Sequence, residues 1–194
     1  MSNNSAHKPV DHLIARYIIR PVSNRIAKLL VHTKLKPFHV TAFSLFYSTA
    51  AAVFFAFGEY LYLVLGVILL QIGFLFDNVD GDLARLRGKY SEFGTWFDDI
   101  DDRLREVFTF LGLAIGLYRL NGNIVIILIG FIAAVNIIMV NFLRASTYKF
   151  SKKLSPEISI NPNLYFGWTE TIVYLTTLLV LINQVYLLLL IYAV

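Results

Sequence analysis

The chain has 194 residues, enough for one domain, of which 57% are hydrophobic and only 15% are charged. An ordinary soluble domain carries about 25% charged residues, so this composition indicates a membrane protein and argues against a soluble one. The net charge is +4, and the lack of cysteine excludes disulfides and thiolate metal sites.

The N-terminal segment predicts an amphipathic helix on the membrane surface, over about residues 8–33 with a break near Pro21. A soluble helical cap packed on the rest of the protein is the alternative. No cleavable signal peptide is expected, because residues 1–12 are polar and two arginines interrupt the first apolar segment. The apolar residues that recur at helical spacing are Leu13, Ile14, Tyr17, Ile18, Val22, Ile26, Leu29 and Leu30.

Long uncharged runs predict the helices that cross the membrane. Four are expected, at about 38–57, 60–86, 92–118 and 123–149. A polar loop is expected at 150–163. The remaining Thr171–Val194 run is either a single span or part of two helices. In the second case a fifth helix at about 163–182 and a short sixth helix flank a turn at Asn183-Gln184.

The expected fold is therefore all-α: a polytopic membrane helix bundle of about six transmembrane helices, preceded by the amphipathic surface helix. Nearly all Lys and Arg residues fall in three segments, 1–40, 85–105 and 144–153. By the positive-inside rule, the N-terminus and the 85–91 and 149–163 connections face the cytoplasm.

One acidic segment, DNVDGDLARLRGKYSEFGTWFDDIDD at Asp77–Asp102, lies at this cytoplasmic edge. Helical periodicity places its polar and small residues on one face of each of two antiparallel neighbouring helices, so the two faces can meet. The residues concerned are Asp77, Asp80, Gly81, Ala84 and Arg85 on the second helix, and Gly94, Asp98 and Asp102 on the third.

Four carboxylates inside a membrane need a physical reason. Each costs roughly 2.5–3.5 kcal/mol deep in a bilayer, and neighbouring like charges repel. Nearby arginines compensate in part, and a pair of divalent metal ions would compensate better. Hard oxygen ligands suit Mg²⁺ or Mn²⁺, and the lack of histidine in the segment argues against zinc.

The same residues resemble the signature of the CDP-alcohol phosphatidyltransferase family, D-x2-D-G-x2-A-R-x8-G-x3-D-x3-D, and fill all eight fixed positions. The resemblance implies two metal ions, Mg²⁺ or Mn²⁺, held by Asp77, Asp80 and Asp98. It implies that Asp102 is the general base and also a metal ligand.

The resemblance also implies which residues surround the substrates. The residues expected at the CDP moiety are Thr41, Gly81, Ala84, Arg85 and Ser91. Thr41 belongs to a Pro37-x3-Thr41 element that resembles the family's P-N-x-x-T element, with Phe38 in place of the usual Asn. Arg144 and Lys149 are expected near the acceptor pocket.

The implied activity is an enzyme of phospholipid biosynthesis. It would transfer a substituted phosphate group from a CDP-alcohol, most simply a CDP-lipid, to the hydroxyl of a polar alcohol, releasing CMP. A soluble donor such as CDP-inositol stays open. Residues 1–35 would form the cytoplasmic juxtamembrane helix and residues 36–194 the transmembrane catalytic domain. The expected partners are the two substrates, the bilayer and a second copy in a homodimer, and no nucleic acid is expected.

Two other function classes remain as alternatives. A cation transporter would distribute its acids through the depth of the membrane, whereas here they cluster at one edge beside Arg85 and Gly81. A non-catalytic membrane scaffold would leave the cost of the four acids unexplained. The acids outside the motif are expected to pair with Arg87, Arg103 or Arg105 rather than bind metal; they are Asp82, Asp99 and Asp101.

Overall fold

The computed structural model describes residues 11–12, 19–88, 91–151, 158–161, 164–166 and 168–194. This part of the chain forms seven α-helices and a small three-stranded sheet. The helices are α1 (Arg20–Leu30), α2 (Pro37–Phe55), α3 (Tyr60–Arg87), α4 (Glu92–Asn121), α5 (Val125–Ser151), α6 (Trp168–Leu181) and α7 (Val185–Ala193). The strands are β1 (Asp11–His12), β2 (Ile158–Asn161) and β3 (Leu164–Phe166), in the order β1-β3-β2.

Three of the described helices are long and apolar enough to cross a membrane: α2, α3 and α5 as far as Thr147. Their outward faces carry large apolar side chains, such as Phe46 at 66% exposure and Phe131 at 58%. Such faces would be unfavourable in water and are stable against lipid. The 30-residue α4 carries all its acidic residues in its first half, while its second half is mostly apolar and has Arg119 in its last turn.

Local sequence signals set the ends of α3 and α4. The α3 helix ends at Gly88, whose positive φ of 59° favours glycine. The next described residue, Ser91, is the N-cap of α4, where its hydroxyl accepts a hydrogen bond from the Gly94 amide at 3.0 Å. Gly122, with φ 68°, ends α4. These signals place the acidic end of α3 next to the acidic beginning of α4.

Small residues allow α2 and α4 to touch through their backbones. A Cβ atom at Gly112 would collide with the carbonyl oxygen of Ala52, and one at Gly116 would collide with that of Phe55. Glycine permits this close approach, a common mode of helix association in membranes. Since α2 also packs along α3, it holds α3 and α4 in register.

The N-terminal prediction is corrected in part. Asp11–His12 pair with β3 as a strand, where a helix was expected, and residues 13–18 lie outside the described part of the chain. The described helix starts at Arg20, so Pro21 lies in its first turn, where proline is tolerated, rather than breaking it. The α1 helix packs on α3 through Arg20, Ser23 and Ala27 and exposes Leu29.

One arginine fastens the segment after α1 to the end of α3. The Arg87 guanidinium donates hydrogen bonds to the carbonyl oxygens of Leu30, Val31, Thr33 and Leu35. These include carbonyls at the end of α1 that have no partner within the helix. The connection between α1 and α2 is therefore held against α3.

At the C-terminal side the structure corrects the expected loop and decides between the two alternatives for the last helices. The loop expected at 150–163 contains β2, whose Ile158-Ser159-Ile160-Asn161 alternation is typical of a strand. After it, α6 and α7 are separate helices, and Asn183 between them has a positive φ of 57°. The two-helix alternative is therefore confirmed, but the fifth helix was expected from about residue 163, and Leu164–Phe166 instead form β3 before α6 begins at Trp168. The nine residues of α7 extend only about 14 Å, less than the thickness of a bilayer.

Candidate active site

A cleft of about 1130 Å³ opens where the described helices α1 to α6 contribute side chains to one end of the bundle. Nearly all residues predicted for the site line this cleft. They are Thr41, Asp77, Asp80, Gly81, Ala84, Arg85, Ser91, Asp98, Asp102 and Arg144. The side chain of Lys149 lies outside the described part of the structure.

The four motif aspartates reach the cleft from two helices. Asp80 is 5% exposed and accepts a hydrogen bond from the Thr41 hydroxyl at 2.5 Å. The side chains of Asp77 and Asp102 are 18% and 23% exposed, so both are accessible from the cleft. Asp80 lies within electrostatic range of Asp77 and Asp98. The structure therefore brings the four acids together, as the helical spacing predicts.

A buried arginine lies among these acids. Arg105 is 1% exposed; it forms an ion pair with Asp102 and lies 3.5 Å from Asp77 and 3.9 Å from Asp101. Asp101 is fully buried and accepts a hydrogen bond from Ser44 at 2.7 Å. The expected pairing of Asp101 with an arginine is thus confirmed. The guanidinium neutralises part of the negative charge at this end of the bundle.

The donor set suits a hard divalent cation, because it consists of carboxylate oxygens facing a common space. Within the described residues, however, no three acidic or histidine side chains already form a closed ligand set. Arg105 engages Asp102, and Thr41 engages Asp80. The chemistry of the residues fits a metal site, and these two contacts would have to adjust when a cation binds.

A second ion-pair network lies behind the wall of the cleft. Asp82 is fully buried and accepts hydrogen bonds from Arg20 and Arg85 at 2.5 Å each, both through Oδ1. Its other oxygen accepts one from Ser23, also at 2.5 Å. The predicted partners of Asp82 were wrong: Arg87 instead binds main-chain carbonyls. The three-residue spacing between Asp82 and Arg85 was the available signal.

The space beside α3 is open at the positions predicted for the CDP moiety. A Cβ atom added at Gly81 would meet only the Arg85 guanidinium, at 3.5 Å. Ala84 and Arg85 lie along the same wall, and Ser91 lines the cleft at the start of α4. Small side chains on this face leave room for a ligand close to the helix backbone.

Polar residues outside the predicted set of site residues also line the cleft. Arg103, Asn141 and Glu170 line the cleft together with Arg144. Glu106, which is 2% exposed, accepts hydrogen bonds from Arg103 at 2.7 Å and from Asn141 at 3.0 Å. The three-residue spacing of Arg103 and Glu106 indicated their pairing, whereas the Asn141 contact joins α4 to α5 and had no local signal.

Comparison with family models gives a match over most of the chain. Residues 35–194 match the model described as CDP-alcohol phosphatidyltransferase. The bifunctional IPC transferase and DIPP synthase of Aquifex aeolicus is 37% identical over 101 residues, 52% of this chain and 22% of the relative. The archaetidylinositol phosphate synthase of Pyrococcus horikoshii is 42% identical over 53 residues, 27% of this chain and 28% of the relative. The chain thus matches less than a third of the length of either relative.

The fold is similar to that of phosphatidylinositol phosphate synthase of Mycobacterium tuberculosis. Its structure with CDP-DAG bound has a TM-score of 0.67 and 20% identity, covering 89% of this chain and 88% of that one. Its structure with manganese and citrate has a TM-score of 0.65 and 20% identity, covering 88% and 83%. At this identity the likeness establishes the shared fold.

Proposed function

The chain belongs to the CDP-alcohol phosphatidyltransferase family, and on that basis we propose that it transfers a substituted phosphate group from a CDP-alcohol to an alcohol acceptor. The observation that carries the proposal is the convergence of Asp77, Asp80, Asp98 and Asp102 on one cleft that also contains Arg85. The acids lie at one end of the bundle, which supports transfer chemistry over a cation path through the membrane.

The bond changes follow from the substrates. The oxygen of the acceptor hydroxyl attacks the donor phosphorus that carries the alcohol. The bond from that phosphorus to the bridging oxygen breaks, and CMP leaves with this oxygen. The hydroxyl proton passes to the Asp102 carboxylate, which is accessible from the cleft and lies one helical turn beyond Asp98.

We assign the metal ligands to Asp77, Asp80 and Asp98, with Asp102 beside them. Two divalent ions, Mg²⁺ or Mn²⁺, would neutralise phosphate charge and orient the displacement when bound. The chain's own residues bind and position the donor. Arg85 pairs with a donor phosphate, and Gly81 and Ala84 leave space for the CDP moiety. Thr41 and Ser91 border the same space.

The donor is proposed to be a CDP-lipid. The similar M. tuberculosis protein is a phosphatidylinositol phosphate synthase, and its structure contains bound CDP-DAG. The P. horikoshii relative is also named for an inositol phosphate product. We therefore place inositol phosphate first among the polar acceptors, ahead of glycerol phosphate and serine. Arg144, which lines the same cleft as Arg85, is the described residue that we assign to bind it, and Lys149 is assigned with it from the sequence alone.

The protein is an integral membrane protein, given its three long apolar helices and its family. We further propose about six spans, including α4 and the C-terminal helices, with α1 lying on the cytoplasmic surface. Residues 1–35 would form the juxtamembrane part and 36–194 the catalytic domain. The cleft would face the cytoplasm, because the Lys and Arg residues are concentrated at that end of the helices. The functional unit would be a homodimer in the cell membrane.

Release of CMP by the purified protein tests the proposal directly. CMP should form only when a CDP-lipid, a polar acceptor and Mg²⁺ or Mn²⁺ are all present. Asp102→Asn should lose at least about a hundredfold in turnover, since a general base contributes roughly that much, and should still bind CDP. Asp99→Asn, a change of the same kind at an exposed site outside the motif, is the control. Cation flux in liposomes without CMP release would instead support the transporter.

A further inference from the structure

The buried carboxylate of Asp82 has no role in the family signature and no contact with the cleft. It lies between two arginines, and both of them line the cleft. A buried carboxylate is expensive unless it is paired and fully hydrogen-bonded, and this one accepts three bonds at 2.5 Å. Such a fully engaged group restricts the geometry of whatever it binds.

The two arginines come from different elements. Arg85 lies on α3, three residues from Asp82, whereas Arg20 begins α1, 62 residues earlier in the chain. Ser23, one turn along α1 from Arg20, donates to the second carboxylate oxygen. The α1 helix therefore fixes both oxygens of Asp82, and one of the same oxygens holds Arg85.

We propose that Asp82 is a positioning residue for donor binding: anchored by Arg20 and Ser23 of α1, it orients the Arg85 guanidinium toward the donor's pyrophosphate. This inference rests on the proposed function. An unrestrained arginine side chain loses rotamer entropy when it is fixed. A guanidinium already held by Asp82 has lost part of that freedom before the donor arrives. The α1 helix is then part of the donor site, although Ser23 and Asp82 do not line the cleft.

The test measures CDP affinity by titration calorimetry with excess Mg²⁺, and kcat and KM by CMP release. Asp82→Asn should raise the Kd for CDP and the KM for the donor about tenfold while kcat stays near the wild-type value, because a hydrogen bond to a charged group is lost. Glu59→Gln also replaces a carboxylate with an amide, at the exposed N-cap at the other end of α3. It should leave Kd and KM unchanged.

A double-mutant cycle separates positioning from a general loss of structure. If Asp82 acts through Arg85, then Asp82→Asn should cause no further loss of CDP affinity in an Arg85→Gln background. If the double variant instead loses CDP affinity by the product of the two single-variant factors, the inference is overturned. Should Asp82→Asn fail to fold, Ser23→Ala provides the milder change, with an expected rise of about threefold in Kd; unchanged affinity there would also overturn it.

The control with wild-type protein keeps the two proposals apart. If the wild type neither binds CDP nor releases CMP, the proposed function fails and the positioning role fails with it. If the wild type does both and Asp82→Asn binds CDP equally well, only the positioning role is wrong.

Discussion

At the scale of single residues, Arg105 compensates part of the negative charge of the acid cluster. It is almost fully buried, and its charge faces Asp77, Asp101 and Asp102. Removing one partner from a buried ionic group leaves uncompensated charge, whereas a group of cations and anions can be stable as a whole. The Arg105 guanidinium therefore supplies positive charge to the acid cluster independently of any divalent cation.

We predict that Arg105→Met destabilises the metal-free protein by about 3–5 kcal/mol, because the buried carboxylates around it lose their compensating positive charge. Thermal unfolding in detergent measures this. Adding Mn²⁺ should raise the melting temperature of the variant more than that of the wild type, since the ion supplies the missing positive charge. Arg119→Met, at the exposed far end of the same helix, is the control. A metal-free variant as stable as the wild type would contradict this role of Arg105.

At the scale of elements, the backbone contact between α2 and α4 holds the acidic helices in register. We predict that Gly116→Val lowers the free energy of unfolding by about 1–3 kcal/mol, because the new side chain overlaps the Phe55 carbonyl and the Gly58 backbone. Activity should fall with it, since α4 carries Asp98 and Asp102. The melting temperature and CMP release measure the two effects.

Ile115→Val is the matched control for this prediction. Its side chain is 43% exposed on the adjacent position of α4. If the Gly116 variant unfolds at the wild-type temperature, the close contact of α2 and α4 does not contribute to stability as argued.

Much of the helical layout could be predicted from the sequence. Long apolar runs and their glycine ends placed α2 to α5 within a few residues of their observed bounds, as with the predicted 60–86 and the observed Tyr60–Arg87. The small sheet could not be predicted, since β1 and β3 are paired across about 150 residues of chain and each strand is very short. Non-local pairing leaves little trace in local periodicity.

The site was predictable to the extent that it is local. Asp77, Asp80, Asp98 and Asp102 share helical faces, so spacing alone brings them together. The Arg20 and Ser23 contacts with Asp82 were missed because α1 was assigned to the membrane surface, and a surface assignment supplies no partner within the protein. Nothing in local spacing reveals that a helix packs through an arginine and a serine.

At the scale of the whole molecule, the distribution of Lys and Arg residues predicts that the cleft faces the cytoplasm. Because the chain lacks cysteine, single introduced thiols can report on sidedness. In cells, His32→Cys should be protected from a membrane-impermeant maleimide, whereas Asn121→Cys, at the opposite end of α4 from the acids, should be labelled. Inverted vesicles should reverse the pattern. Labelling of His32→Cys in intact cells would contradict the orientation.

The bonds made by Arg87 have a mechanical consequence for substrate exchange. The linker after α1 contributes Thr33, Lys34 and Lys36 to the lining of the cleft. Through its hydrogen bonds, Arg87 holds that linker against α3, the helix that carries Asp77 and Asp80. The linker after α1 and the α3 helix consequently move together as one rigid unit, and the linker cannot open as a flap. The entrance to the cleft therefore cannot widen by movement of this linker away from α3.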